Sequence, residues 1–195
     1  MVTLPQAIEL ATKAHEGQWK RPKYLRQGPG ELITDEQMSD MMYGSLVGEY
    51  LALPNKSMLT YCTNYKQWYT VEPYITHPLA VMNMMDTEEE KIVAVLHGLF
   101  KYTEAKLLHS TESGYSFIKI YKGEAYIIFE NAYHALSLLT KQSNQTYLEY
   151  IKGIARNKLA TKVKIVSMFH DMAYTDSQKQ KDKHLEALPI LLKGL

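Results

Sequence analysis

The chain has 195 residues, of which 46% are hydrophobic and 22% charged, enough for a core of ordinary size. Its 22 lysines and arginines nearly cancel its 21 acids, a balance that excludes a nucleic-acid-coating surface or a patch for anionic membranes. One cysteine, Cys62, excludes an intrachain disulfide framework and favours a reducing compartment.

The opening stretch, MVTLPQAIELATKAHEGQ, lacks the basic and apolar regions of a secretory signal, and no apolar run approaches the roughly 18 residues of a membrane span. A soluble cytoplasmic protein is expected. A helix is predicted over 3–18, with Thr3 as cap, Pro5 in the first turn and Ala7, Leu10, Ala11 and Ala14 as its apolar stripe. His15 lies beside that stripe as a structural residue. Residues 20–34, punctuated by proline and glycine, read as loop. From about 35 to 53, Met38, Met41, Met42, Leu46 and Tyr50 recur at helical spacing. Residues 54–73 are rich in aromatic and β-branched side chains, and both a small hairpin and an irregular loop remain open there.

HPLAVMNMM then begins a short helix, and Thr87 followed by three glutamates marks the start of another over about 88–101. Ile92, Val95, Leu96 and Leu99 form its buried side, with His97 close by. The region 104–122 is ambiguous. FIKIYKGEAYIIF admits a hairpin about Lys122-Gly123, but the stripe Ala125, Phe129, Ala132, Tyr133, Leu136 and Leu139 favours a helix over 124–139. Helices over about 146–156 and 159–173, the polar stretch TDSQKQKDK and an apolar helix over 183–193 complete the chain. His109, His134 and His184 are expected at the surface. The expected fold class is all-α.

Four stretches carry chemistry as a set: ATKAHEGQ (11–18), PYITHPLAV (73–81), AVLHGLFKYT (94–103) and VKIVSMFHDM (163–172), with LLTK (138–141) before the last. In this order they resemble the HD-domain hydrolases of the RelA/SpoT type, including the small alarmone hydrolases. The family pattern runs A-x-x-x-H-x-x-Q, P-Y-I-x-H-P, L-H-D-x-x-E-D-T, T-K and V-K-L-A-D-R-L-H-N-M. The resemblance covers residues 5–22 and 73–173. It implies a single HD-type helical bundle over 1–195, with residues 23–72 as an inserted, partly helical elaboration near the pocket mouth.

The resemblance also implies a chemistry. In the family one Mn²⁺ held by two histidines and two aspartates polarises the water that attacks the 3′-pyrophosphate of (p)ppGpp. A Glu-Asp pair one turn further on positions and deprotonates that water. Carried over, the histidine ligands fall on His77 and His97, but the aspartate ligands fall on Gly98 and Ser167 and the catalytic pair on Lys101 and Tyr102. The asparagine that contacts the nucleotide falls on Asp171, and the basic residues beside the guanine fall on Lys20 and Arg21. Every acidic member of the site is therefore replaced.

The expected function is a catalytically inactive (p)ppGpp-hydrolase-like protein that binds a phosphorylated nucleotide or acts as a regulator; its pocket, lined by Lys20, Arg21, Lys101 and Lys164, would hold such a nucleotide, a guanine nucleotide by the resemblance, without metal. One alternative is a protein-interaction module with a vestigial pocket, meeting its partner through 23–72. The other is an active metal-dependent hydrolase using His77, His97 and Asp171 in a shifted site, since Asp171 lies one helical turn after Ser167. No cofactor is expected, with Mn²⁺ only if the site is rebuilt in that way. Neither nucleic acid nor membrane is expected as a partner.

Overall fold

The computed structural model describes residues 1–20, 32–34, 47–52, 58–62, 67–111, 113–119, 125–175 and 177–195, with side chains at 20 and through 32–71 left aside. Two compact units divide the chain: Met1–Ala14 with His77–Leu195, and His15–Thr76. The segment expected as an elaboration, 23–72, lies within the second.

Helices dominate the first unit: α1 (Leu4–Ala14), α2 (Thr76–Asn83), α3 (Glu88–Leu96), the short α4 (Leu99–Tyr102), α5 (Glu130–Leu139), α6 (Tyr147–Ile154), α7 (Lys158–Tyr174) and α8 (Gln178–Leu192). The start of α3 is fixed by a capping box: Glu90 N–H donates to Thr87 Oγ1 at 3.3 Å, and Thr87 N–H donates back to Glu90 Oε2 at 3.1 Å. Glu88, Glu89 and Glu90 place negative charge at the positive end of the helix dipole. Lys162 on α7 ties this end down, donating to Asp86 Oδ2 at 2.6 Å and to Glu90 Oε1 at 2.8 Å. From that start α3 runs through the core and packs against α1, α5 and α7. Ile92, Leu96, Leu99, Leu136 and Met168 are among the side chains it buries completely with its neighbours.

Two helical expectations shift at their ends. The polar run after α7 is not a connection, because α8 already starts at Gln178, where Ser177 Oγ accepts from Gln180 N–H at 3.4 Å. His184, expected at the surface, is 6% exposed on α8, as the helix turns that position inward between the exposed Lys183 and Leu185.

The second unit carries β1 (Gln18–Lys20), β2 (Leu32–Thr34), β3 (Val47–Ala52), β4 (Met58–Cys62) and β5 (Gln67–Val71). β1 pairs antiparallel with β2, Trp19 opposite Ile33, and β3, β4 and β5 form an antiparallel sheet in that order. The all-α expectation holds in part: the described residues are mostly helical but also form small antiparallel sheets, the expected loop over 20–34 including β2 and the end of the segment expected as helix over 35–53 being β3. Residues 35–46 lie outside the described residues. VGEYLA, MLTYC and QWYTV find cross-strand partners such as Tyr61 opposite Trp68, and such pairing decides the strand conformation of Val47–Ala52.

Within this unit His15 is 2% exposed, its ring edge against Tyr74 with centroids 4.7 Å apart. Its Nδ1 donates to Gln18 Oε1 at 2.8 Å, and its buried Nε2 has no hydrogen-bond partner among the described residues. Protonation would put an N–H at that position with no acceptor among the described residues. Burial holds the imidazole below its ordinary pKa, against a smaller opposing effect of the Gln18 bond. The unfolded chain therefore binds this proton more readily than the folded one, and stability present above about pH 6.5 is lost as pH falls through the depressed pKa. Urea unfolding at about pH 7.5 and about pH 5.5 should show this loss, and His15→Gln should flatten the part that His15 causes. An unchanged slope in that variant would assign the loss to other groups.

Returning to the first unit, β6 (Lys106–His109), β7 (Ser116–Lys119) and β8 (Ala125–Ile128) form an antiparallel sheet with Phe117 opposite Ile127 and Ile118 opposite Tyr126. The helix expected from residue 124 thus begins only at Glu130, with Phe129 extended at φ −63° and ψ 146°. Ser116 and Ile118 are buried while Phe117 and Lys119 are less so, a period of two that the longer stripe had masked. Among the described residues no helix is long and apolar enough to cross a membrane.

Candidate functional site

Three elements of the first unit bring a cluster of imidazoles together. His77 sits at the start of α2, where Thr76 Oγ1 donates to Pro73 O at 2.8 Å and anchors the turn before it. His97 caps the end of α3. Ser167, His170 and Asp171 lie on α7 at spacings of three and four, which puts them on one face of that helix.

His77 is the hub. Its Nε2 lies 3.2 Å from His97 Nε2, and Ser167 Oγ lies 3.3 Å and 3.4 Å from those two atoms. Its Nδ1 lies 2.9 Å from His170 Nδ1 and 3.4 Å from Asp171 Oδ1. The cluster is largely buried, with His77 4% exposed, Ser167 3% and His170 9%.

The hydrogen-bond geometry assigns the protons for neutral rings. His97 Nδ1 is 2.5 Å from Ala94 O, so that nitrogen carries the proton and donates. His97 Nε2 is then a lone pair, and the 3.2 Å contact makes His77 Nε2–H the donor to it. That leaves His77 Nδ1 as a lone pair. His170 Nδ1–H donates to it at 2.9 Å, while the Asp171 carboxylate faces the same lone pair at 3.4 Å.

Gly98 occupies the buried step between α3 and α4 at φ −92° and ψ −11°. It offers no ligand atom. The ammonium of Lys101, at the end of α4, donates to the Tyr102 hydroxyl and lies 4.4 Å from the Tyr102 ring centroid. Lys164 lies 5.6 Å over the Tyr150 ring. Arg21 and the Lys20 side chain lie outside the described residues. His109 and His134 are exposed, His109 Nδ1 lying 3.0 Å from Ser116 Oγ and His134 Nε2 3.5 Å from Glu130.

His170 is the residue that sequence reasoning passed over. It was visible in FHDM as a literal His-Asp pair, three and four positions after Ser167. Alignment to the family's L-H-N obscured it. His77, His170 and Asp171 each place a ligand atom within 4.8 Å of the others, and such a group can hold a metal ion. Tyr174 packs on His170, ring centroids 4.7 Å apart and tilted by 30°. Tyr147, at the start of α6, has a hydroxyl that is buried without a hydrogen-bond partner among the described residues. Burial foremost, then the charges of Asp171 and Glu186, push its pKa up to about 12.

Searches against protein-family models and against curated proteins returned no match for this chain.

Proposed function

We propose that this chain is an HD-type relative of the alarmone hydrolases that binds a phosphorylated guanine nucleotide and does not hydrolyse it. One observation carries the reading. Around the His77–His97 contact, the two positions that would need metal-binding carboxylates hold Gly98, with no side chain, and Ser167, bonded to both imidazoles. Two imidazoles and a hydroxyl are a poor set for Mn²⁺, so binding in this reading requires none. By the resemblance, Lys101 and Tyr102, bonded to each other, replace the carboxylate pair that would deprotonate water. A lysine in that place favours a phosphate instead.

The purified chain, mixed with ppGpp and Mn²⁺, should release neither GDP nor pyrophosphate. Calorimetry without metal should show binding that weakens steeply with salt, and Lys101→Glu should weaken it by about tenfold or more. Full affinity in that variant would overturn the reading. Turnover would favour a second one, in which His77, His97 and Asp171 form a shifted hydrolytic site. Asp171 comes within 3.4 Å of His77 at Nδ1, however, the nitrogen opposite the one that meets His97.

A further inference from the structure

We infer that His77, His170 and Asp171 form a zinc-class metal site built on the ring nitrogen of His77 that faces away from His97. It goes beyond nucleotide binding and is tested without any nucleotide. The set differs from the one the family resemblance implies. That set would use the Nε2 side, toward His97, whereas this one uses Nδ1.

Proton positions make the case. Because His97 Nδ1 donates to Ala94 O and His77 Nε2 donates to His97, His77 Nδ1 keeps its lone pair. Asp171 Oδ1 lies 3.4 Å from that lone pair, so a carboxylate oxygen and a ring nitrogen converge there as two potential metal ligands. His170 Nδ1, 2.9 Å from His77 Nδ1, becomes a third donor atom once its ring carries the proton on Nε2. That shift moves a proton within one ring and leaves its charge unchanged.

Distances suit the ion. Metal–nitrogen bonds of about 2.0–2.1 Å in a tetrahedral site imply ligand atoms about 3.3 Å apart. The separations from His77 Nδ1, 2.9 Å to His170 and 3.4 Å to Asp171, bracket that value, and all three ligand atoms lie within 4.8 Å of one another. Two imidazoles and one carboxylate favour Zn²⁺ or Co²⁺ over Mg²⁺ or Ca²⁺, which prefer oxygen shells. The bond from His77 Nε2–H to His97 is the outer contact that orients a metal-binding imidazole.

Access and a fourth position are also present. The Asp171 side chain is 31% exposed beside the 5% of His77, which opens a route for the ion. Three protein ligands leave one coordination position for water.

The test uses the full chain after chelation, titrated with Zn²⁺ by calorimetry and with Co²⁺ by visible absorption. Saturable uptake of one ion with an intense tetrahedral Co²⁺ spectrum is expected. Asp171→Asn, at a partly exposed position that tolerates the change, and His170→Ala should each weaken binding by roughly 100-fold or more. His97→Ala should weaken it less than either. No saturable uptake, full affinity in Asp171→Asn, or a greater loss in His97→Ala than in Asp171→Asn would each overturn the assignment. The last result would place the ion on the opposite side of His77.

Discussion

Gly98→Asp combined with Ser167→Asp is expected to yield a chain less stable than the parent when alone and raised in melting temperature by Mn²⁺. The backbone at Gly98 has φ −92° and ψ −11°, a right-handed conformation that aspartate adopts without strain. Ser167 already lies 3.3 Å and 3.4 Å from the two Nε2 atoms, so an aspartate there brings a carboxylate to the imidazole pair. Both positions are buried. Without metal, uncompensated carboxylates at such sites cost about 3–5 kcal/mol, which for a chain of this size lowers the melting temperature by roughly 6–20 °C.

Mn²⁺ at about 100 times its dissociation constant would return about 2.7 kcal/mol. Thermal melts of parent and double variant, each with and without Mn²⁺, make the comparison. A double variant that folds but shows no Mn²⁺-dependent rise would mean that His77 and His97 are not arranged as a ligand pair. The zinc-class site on the other nitrogen of His77 would be untouched by that result.

Leu96→Ala is expected to destabilise the first unit by about 2–5 kcal/mol, a fall in melting temperature of roughly 4–20 °C. Leu96 is 0% exposed on α3, the helix that packs against α1, α5 and α7, and it immediately precedes His97. The truncation removes buried methyl groups and leaves a cavity that rigid neighbouring helices fill poorly. Urea unfolding should show a lower midpoint with little change in slope. Leu185→Ala on α8, where the leucine is 54% exposed, should stay within about 0.5 kcal/mol of the parent. A loss at Leu96 no larger than at Leu185 would mean that α3 does not carry the core its burial assigns to it.

Some of this architecture could be read directly. Thr87 followed by three glutamates announced α3 because capping and the helix dipole act within one turn, and the structure has that capping box at Thr87 and Glu90. The apolar positions of α7 repeat often enough to mark it, and Asn157 Oδ1 accepts from Ala160 N–H at 2.8 Å at its start. The strands were harder. Phe117 and Ile118 earn their place by facing Ile127 and Tyr126, partners seven or more residues away. β3 likewise depends on β4 and β5, while the Met-rich spacing before it pointed to a helix.

The cluster divides in the same way. The sequence singled out His77, His97, Gly98 and Ser167 by their place in a motif order, and they meet at the ends and faces of α2, α3 and α7. It could not show that His77 faces two sets of partners through its two nitrogens. That depends on ring orientation, which the bonds from His97 to Ala94 and from His170 to His77 reveal. Local signals specify where helices begin and which face turns inward, because capping and periodicity act over a few residues. Sheet pairing, the burial of His184 and the convergence of His170 and Asp171 on His77 depend on partners distant in the chain, and only tertiary packing decides them.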